Sequence, residues 1–142
     1  MAVLPRLNRY HQLDVKYKQY LKVLAKSGFK GDIHTDIASR LTVSTDNSVY
    51  QVIPQVVIFP RNSKDIELIF HLASQKNYHE IRFSPRGGGT GTNGQSLSKG
   101  ILIDHSRYLN QIKQINIEEQ WVEVEPGVVL DQLNQYLKQY QL

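Results

Sequence analysis

The residues best suited to chemistry lie in one glycine-rich stretch, residues 85–96. Five of the chain's nine glycines fall within positions 87–94, and the other three residues there carry hydroxyl or amide side chains. Glycine admits positive φ and lets another molecule approach the main chain with no Cβ in between. The stretch therefore offers a row of bare N–H donors, which bind phosphate or diphosphate when curved into a nest. A flexible surface linker is the alternative, but the run is short and lies between strand-like segments.

Two known phosphate motifs nearly match this stretch, and both fail. Residues 89–94 fit G-x-G-x-x-G, but only residues 95–100 separate them from the next apolar run. A crossover helix, which needs roughly ten or more residues, does not fit in that space. A Walker A pattern would require lysine where the chain has Gln95. The sequence thus predicts a glycine loop that runs from one strand almost directly into another.

The glycine stretch follows a predicted β-α-β unit. Residues 56–59 are continuously apolar and end at Pro60, as in a buried strand. Apolar residues then recur at helical spacing through residues 66–73, with Asn62 or Ser63 as the cap. Residues 81–84 read as a second strand, parallel to the first. Because ligand sites in such sheets gather at the carboxyl ends of strands, this placement favours a binding loop.

The remaining segments predict two further helices and three further strands. A helix over residues 13–27 stops at Gly28, and residues 29–41 read as a loop or a short turn of helix. Beyond them come a turn cluster, three strands and a last amphipathic helix, over residues 44–48, 101–104, 112–117, 121–125 and 129–142 respectively.

Composition places the chain among ordinary globular domains, with 142 residues, 40% of them hydrophobic and 21% charged. The absence of cysteine excludes disulfides, thiolate metal sites and cysteine nucleophiles. No apolar run approaches the roughly 20 residues of a membrane span, and residues 1–13 lack the core of a secretion signal. A cytoplasmic protein is the expectation, with a peripheral position at the inner membrane as the alternative for a full-length protein.

The positive charge is concentrated at the amino-terminal end. Seven basic residues oppose Asp14 alone through Lys30, whereas ten basic residues oppose twelve acidic ones afterwards. Lys18, Lys22 and Lys26 recur every four residues, which is typical of a solvated helix face. Because no recognition module accompanies this stripe, we expect no nucleic-acid partner.

Outside the glycine stretch no catalytic arrangement is visible in the sequence. The five histidines show no metal-binding spacing, and each is interpreted as a surface or loop residue. Ser96 and Ser106 lack a recognisable base, and Glu123 and Glu125 are explained equally well by an acid/base pair or by a solvated strand face. We therefore assign no catalytic residue and no metal ligand.

Four motifs, taken in order and spacing, resemble the FAD-binding domain of the vanillyl-alcohol oxidase type, also called the PCMH type. They are PQVVIFP at 54–60 with SKDI at 63–66, PRGGGTG at 85–91, LID at 102–104 with Ser106 and Arg107, and VEPGV at 124–128. Residues 45–51 and the long loop 87–96 look closest to bacterial FAD-linked dehydrogenases of D-2-hydroxy acids, the D-lactate and D-2-hydroxyglutarate dehydrogenase group.

The resemblance implies an α+β fold, in which a small β-α-β parallel sheet subdomain with an N-terminal helix precedes the start of a second, mixed or antiparallel subdomain. It divides the chain into a helical and loop extension, residues 1–44, and an FAD-binding domain, residues 45–142, that is incomplete at its carboxyl end. FAD would be held at its diphosphate, mostly by backbone groups. The implied cofactor-binding residues are Arg86, Gly87, Gly88, Gly89, Thr90, Gly91, Thr92, Asn93, Gly94, Gln95 and Ser96.

Some members of the family attach flavin through a loop histidine, and Thr90 occupies the comparable place here. The resemblance therefore implies non-covalent FAD. It also implies hydride transfer from a D-2-hydroxy acid to FAD in a longer enzyme, with the substrate and the electron acceptor bound by later regions. We expect this chain to be an amino-terminal fragment or a split gene product, inactive alone and binding FAD weakly or not at all. The alternatives are a non-catalytic nucleotide-binding or interaction module and, third, a Walker-type NTPase.

Overall fold

The computed structural model describes residues 12–140. His11 and the last two residues of the predicted final helix lie outside this range. In chain order the elements are α1 (Val15–Lys26), β1 (Asp32–His34), α2 (Ile37–Thr42), β2 (Val56–Phe59), α3 (Ser63–Ala73), β3 (Phe83–Arg86), β4 (Ile101–Asp104), β5 (Ile112–Asn116), β6 (Trp121–Val124) and α4 (Leu130–Leu137). Single turns of 3-10 helix follow α3 and α4 at Lys76–Tyr78 and Lys138–Tyr140.

The first four strands form one sheet in the order β1-β2-β4-β3. Strands β2, β4 and β3 run parallel, which confirms the β-α-β prediction, but β4 lies between β2 and β3. Every residue of β2 and of β4 is buried, and only Asp104 at the end of β4 is polar, so these two strands take the central places. Strand β3 begins two residues later than predicted and contains Pro85, which lacks an N–H and suits an edge strand.

Strand β1 lies where the sequence predicts a loop or a turn of helix, so the prediction is wrong for residues 32–34. The strand has only three residues and no alternating pattern. It forms because the edge of β2 is open to pairing, with Asp32 opposite Phe59 and His34 opposite Val57. The short helix α2 agrees with the prediction, and the Asp36 side chain caps it by accepting from the Ser39 N–H at 2.8 Å.

The main core lies between the sheet and the helices α1 and α3. Its buried members are Tyr20, Leu21, Leu24, Val56, Ile58, Ile69, Leu72, Ile81, Ile101 and Ile103. The Tyr20 hydroxyl donates to the Ile69 carbonyl at 2.7 Å, which joins the two helices inside that core. The segment before residue 45 therefore supplies a helix and a strand to the same packing unit, and a division at residue 44 stays a prediction.

The end of the described chain forms a separate antiparallel hairpin, β5–β6, followed by α4. Val122 lies opposite Ile115, and Val124 lies opposite Ile112. No residue of β5, β6 or α4 is buried. The combination of a mostly parallel sheet with a following antiparallel hairpin agrees with the expected α+β architecture. Among residues 12–140, no helix has both the length and the apolar character to cross a membrane, and the cytoplasmic location stays a prediction.

Candidate functional site

The glycine stretch connects β3 to β4 at the carboxyl end of the parallel strands. Strand β3 ends at Arg86 and its parallel neighbour β4 begins at Ile101, so residues 87–100 must return the chain along the sheet. No helix forms within this connection. The sequence prediction that neither a dinucleotide-fold helix nor a P-loop helix follows the glycines is confirmed.

The glycine loop lines a shallow, open depression of about 690 Å³. Its lining consists of Pro85, Arg86, Gly87, Gly88, Gly89, Thr90, Gly91, Thr92, Gln95 and Ser96. The structure thus brings together all the residues singled out from the sequence except Asn93 and Gly94, which do not line the depression. A loop extended into solvent would offer no such concavity.

Five consecutive backbone N–H groups in this loop, those of residues 88–92, donate no hydrogen bond to any atom of residues 12–140. The next one, from Asn93, donates to Oε1 of Gln95 at 3.0 Å. Backbone N–H groups are strong donors that require a partner when water is removed. A run of available donors beside a depression can therefore hydrogen-bond an anionic group such as a phosphate.

Two glycines of the loop are required by its geometry. Gly89 has a φ of 67°, and a Cβ atom there would overlap the Arg86 guanidinium. Gly94 has a φ of 76°, and its Cβ would lie 3.2 Å from Cδ2 of Tyr50. Both positions combine a left-handed conformation with a close neighbour, so an L side chain would be strained there.

The turn at residues 45–51 contacts the glycine loop. The Asn47 N–H donates to the Gly91 carbonyl at 3.0 Å, and its Nδ2 donates to the Thr90 carbonyl at 3.4 Å. The turn is closed by an isolated β-bridge between Thr45 and Gln51. These contacts use carbonyl groups of the loop and leave its N–H groups available.

The Arg86 guanidinium lies against Gly89 of the loop, and all of its hydrogen bonds to described residues are made by Nη1. Its Nη1 donates to the Thr45 carbonyl at 3.0 Å and to Oγ of Ser96 at 3.4 Å. Oγ of Ser96 in turn donates to Oδ2 of Asp46 at 3.3 Å. Hydrogen bonding from Ser48 is the main cause that holds the pKa of Asp46 below its usual range, and the Ser96 hydroxyl and the Arg86 charge add to it. Asp46 is therefore an anion at neutral pH.

The Pro126–Gly127 turn closes against the start of the glycine loop. The Gly127 N–H donates to the Leu109 carbonyl at 2.7 Å, and the Pro126 carbonyl lies 3.3 Å from where a Cβ of Gly87 would be. His105, just after β4, is buried and its Nδ1 lies 3.2 Å from the Arg86 carbonyl. The interpretation of every histidine as a surface or loop residue is thus wrong for the half-buried His34 in β1, and His105, although in a loop, is inside the protein.

Residues 54–142 match the family model described as an FAD binding domain. This chain belongs to that family. The domain is 56% identical over 121 residues to D-2-hydroxyglutarate dehydrogenase of Escherichia coli (strain K12). This alignment covers 85% of this chain and 12% of that protein. It is 48% identical over 139 residues to D-2-hydroxyglutarate dehydrogenase of Pantoea ananatis (strain AJ13355). This alignment covers 98% of this chain and 14% of that protein.

A more distant relative is the mitochondrial D-lactate dehydrogenase [cytochrome] of Arabidopsis thaliana. It is 32% identical over 135 residues, 89% of this chain and 23% of that protein. The FAD-binding domain thus spans less than a quarter of the length of each of these curated relatives.

Solved structures agree on the fold of the FAD-binding domain. An alkyldihydroxyacetonephosphate synthase aligns with a TM-score of 0.72 at 20% identity, over 91% of this chain and 26% of that one. The 4-ethylphenol oxidase from Gulosibacter chungangensis aligns with a TM-score of 0.69 at 18% identity, over the same shares. These likenesses confirm the predicted PCMH-type fold.

A second polar cluster of the FAD-binding domain also lies at the carboxyl end of the parallel strands, beside β1. Oδ2 of Asp32 accepts from the Tyr108 hydroxyl at 2.7 Å and from Nη1 of Arg107 at 2.9 Å. The Arg107 guanidinium also lies 3.7 Å from the centre of the Phe59 ring. These contacts fasten β1 to the segment after β4. Within residues 12–140, no three His, Cys, Asp or Glu side chains are grouped so that they could hold a metal ion.

Proposed function

We propose that the glycine loop binds the diphosphate of FAD without a covalent bond. The observation that carries this proposal is the run of available N–H groups at residues 88–92, which borders the depression. Hydrogen bonds from such donors to a charged acceptor contribute roughly 1.5–3 kcal/mol each. The donor set fits a diphosphate, because it is rich in N–H groups, includes the Arg86 cation and contains no carboxylate in the lining.

The other proposed contacts come from the rest of the loop. Hydroxyls of Thr90, Thr92 and Ser96 and the amides of Asn93 and Gln95 can add side-chain hydrogen bonds to the backbone contacts of Gly87 and Gly94. The loop contains neither histidine nor cysteine, which supports a non-covalent site.

We further propose that the full-length protein oxidises a D-2-hydroxy acid of the D-lactate or D-2-hydroxyglutarate type. The names of the relatives with 32–56% identity support this activity. FAD, when bound, supplies the hydride acceptor. This chain's share is to bind and orient the cofactor, and it contributes no proposed catalytic residue. Substrate and electron acceptor would bind outside these residues, so the chain by itself would be inactive.

Two other functions are less well supported. A non-catalytic nucleotide-binding module is not favoured, because the curated relatives named above are dehydrogenases. A Walker-type NTPase would need a cationic side chain at Gln95, whose Oε1 instead accepts from the Asn93 N–H at 3.0 Å. The chain forms no helix between the glycines and β4, so the helix of a P-loop is missing from residues 95–100.

A matched pair of substitutions at Gly88 tests the diphosphate site. Position 88 has no positive φ, and a Cβ there would meet only Cγ2 of Thr90, at an ordinary 3.7 Å. Gly88→Asn and Gly88→Asp add nearly the same volume, but only the second places a negative charge beside the loop. In the full-length gene product we expect Gly88→Asp to bind FAD at least about tenfold more weakly than Gly88→Asn, because like charges repel.

The first measurement is the amount of FAD retained after purification, read from the visible flavin absorbance. The second is the FAD affinity, measured by titration of the apoprotein. Release of all flavin on denaturation would agree with non-covalent binding. Equal FAD affinities for the two Gly88 variants, with equal melting temperatures, would contradict the proposed site.

A further inference from the structure

The Arg86 side chain is anchored on one side and has available donors on the other. Nη1 makes both of its hydrogen bonds, to the Thr45 carbonyl and to Oγ of Ser96. Within residues 12–140, no acceptor takes a hydrogen bond from Nε or Nη2 of Arg86. Those two nitrogens lie beside Gly89, and Arg86 lines the depression. The Nε/Nη2 edge of a guanidinium can donate two parallel hydrogen bonds to phosphate oxygens.

The anchor behind Arg86 is built from a residue outside the glycine loop. Oδ2 of Asp46 accepts from Oγ of Ser96 at 3.3 Å, and its Oδ1 accepts from the Ser48 N–H at 2.8 Å. Because both carboxylate oxygens have partners, the orientation of the Asp46 side chain is fixed. Asp46 does not line the depression. The order of contacts is therefore Asp46, Ser96, Arg86 and then the depression.

We infer that Asp46 is a positioning residue for the cofactor site. Through Ser96 it holds the Arg86 guanidinium under Gly89, so that Nε and Nη2 are directed at the diphosphate before the cofactor arrives. This inference rests on the proposed function, since it assigns how one proposed diphosphate ligand is oriented. A preorganised cation binds more tightly because less side-chain entropy is lost on binding.

The sign of one substitution separates positioning from bulk electrostatics. Asp46→Asn removes a negative charge near the site, and by charge alone this would tighten the binding of an anionic diphosphate. If Asp46 acts by holding Arg86 in place, the same substitution weakens binding instead. We expect Asp46→Asn to raise the Kd for FAD about tenfold in the full-length gene product, the effect of losing one well-oriented charged hydrogen bond.

A double-mutant cycle shows whether Asp46 acts through Arg86. In an Arg86→Gln background, Asp46→Asn is expected to change the Kd for FAD by less than about twofold, because the group that it positions is gone. The same cycle with Ser96→Ala tests the middle link, and a cycle of Ser96→Ala with Arg86→Gln replaces it if Asp46→Asn folds poorly. Asp36→Asn is the matched control, since the Asp36 carboxylate also accepts from a nearby backbone N–H and has a lowered pKa, but its partner is Ser39 in α2.

The outcomes are distinguishable. A weaker Kd for Asp46→Asn that disappears in the Arg86→Gln and Ser96→Ala backgrounds, with Asp36→Asn unchanged, supports the inference. An unchanged or tighter Kd for Asp46→Asn, or the same loss in both backgrounds, overturns it. If Arg86→Gln and Gly88→Asp both leave FAD binding unchanged, the proposed diphosphate site itself has failed.

Discussion

At the scale of single residues, this domain depends on positions where a side chain has no room. The Arg86 guanidinium occupies the space where a Cβ atom of Gly89 would be. The backbone carbonyls of His105 and Leu109 occupy the corresponding space at Gly127. The two cases differ physically. The arginine is the flexible end of a side chain and can move, whereas the carbonyls belong to the segment that follows β4 and cannot shift without the backbone.

Gly127→Ala is therefore expected to destabilise the protein by about 1–3 kcal/mol, the usual cost of overpacking. Its Cβ would lie 2.7 Å from the Leu109 carbonyl oxygen, closer than real Cβ contacts allow. Thermal or denaturant unfolding measures the change. Gly88→Ala is the control, because a Cβ there makes only an ordinary 3.7 Å contact with Cγ2 of Thr90, and it should unfold within about 1 kcal/mol of the parent. Equal stabilities for the two alanine variants would show that the Pro126–Gly127 turn is packed more loosely than described.

At the scale of elements, the three-residue strand β1 is held both by its backbone pairing with β2 and by side-chain hydrogen bonds. Asp32 joins it to Tyr108 and Arg107, and both residues follow β4. The hydrogen bond from Tyr108 is the largest cause, and that from Arg107 the next, of a pKa of Asp32 below its usual range. A strand too short to be recognised from its sequence is thus fixed by contacts with residues about 75 positions away.

The lowered pKa gives Asp32 a stability contribution with a defined pH dependence. The folded protein favours the carboxylate, so the contribution is present above the unfolded-state pKa of about 3.9 and is lost as the pH falls through the lower folded-state pKa. Asp32→Asn should cost about 1 kcal/mol at neutral pH, allowing for solvent screening. Denaturant unfolding of both proteins across the acid range checks this. A cost that does not shrink towards the acid end would mean that the charge of Asp32 is not the source.

At the scale of the whole molecule, the two parts of the fold differ in how much they bury. The four-stranded sheet carries a core on each face, the second formed by Val43, Val57, Phe59 and Leu102. The hairpin and α4 have no buried residue, and Leu130 of α4 is 68% exposed. A two-stranded hairpin is marginally stable in water unless another layer covers it.

Hydrogen exchange of the 142-residue chain should reveal this difference. We expect amides of β2 and β4 to exchange with the slow rate of global unfolding, and those of β5, β6 and α4 to exchange by local opening at least about tenfold faster. Peptide-level mass spectrometry resolves the two parts, and α3, which packs on the sheet, is the internal reference for a protected helix. Uniform protection across both parts would contradict the division and indicate one cooperative unit.

The local features of this protein followed from its sequence. Continuous apolar runs determined β2 and β4, the spacing of apolar residues determined α3, and clustered glycines marked the loop. These are short-range signals, because periodicity and glycine content act within a few residues. The resemblance of four ordered motifs added the family and its FAD, which the family match then confirmed.

Only the tertiary structure decided which distant residues meet. It inserted β4 between β2 and β3, added β1 at the edge of β2, and brought Asp46 to Ser96, 50 positions away in the chain. No local pattern marks these partners, since a turn aspartate or a three-residue strand looks alike whether or not it has a contact across the fold. Such contacts form only when the sheet order is set by the burial of its two most apolar strands.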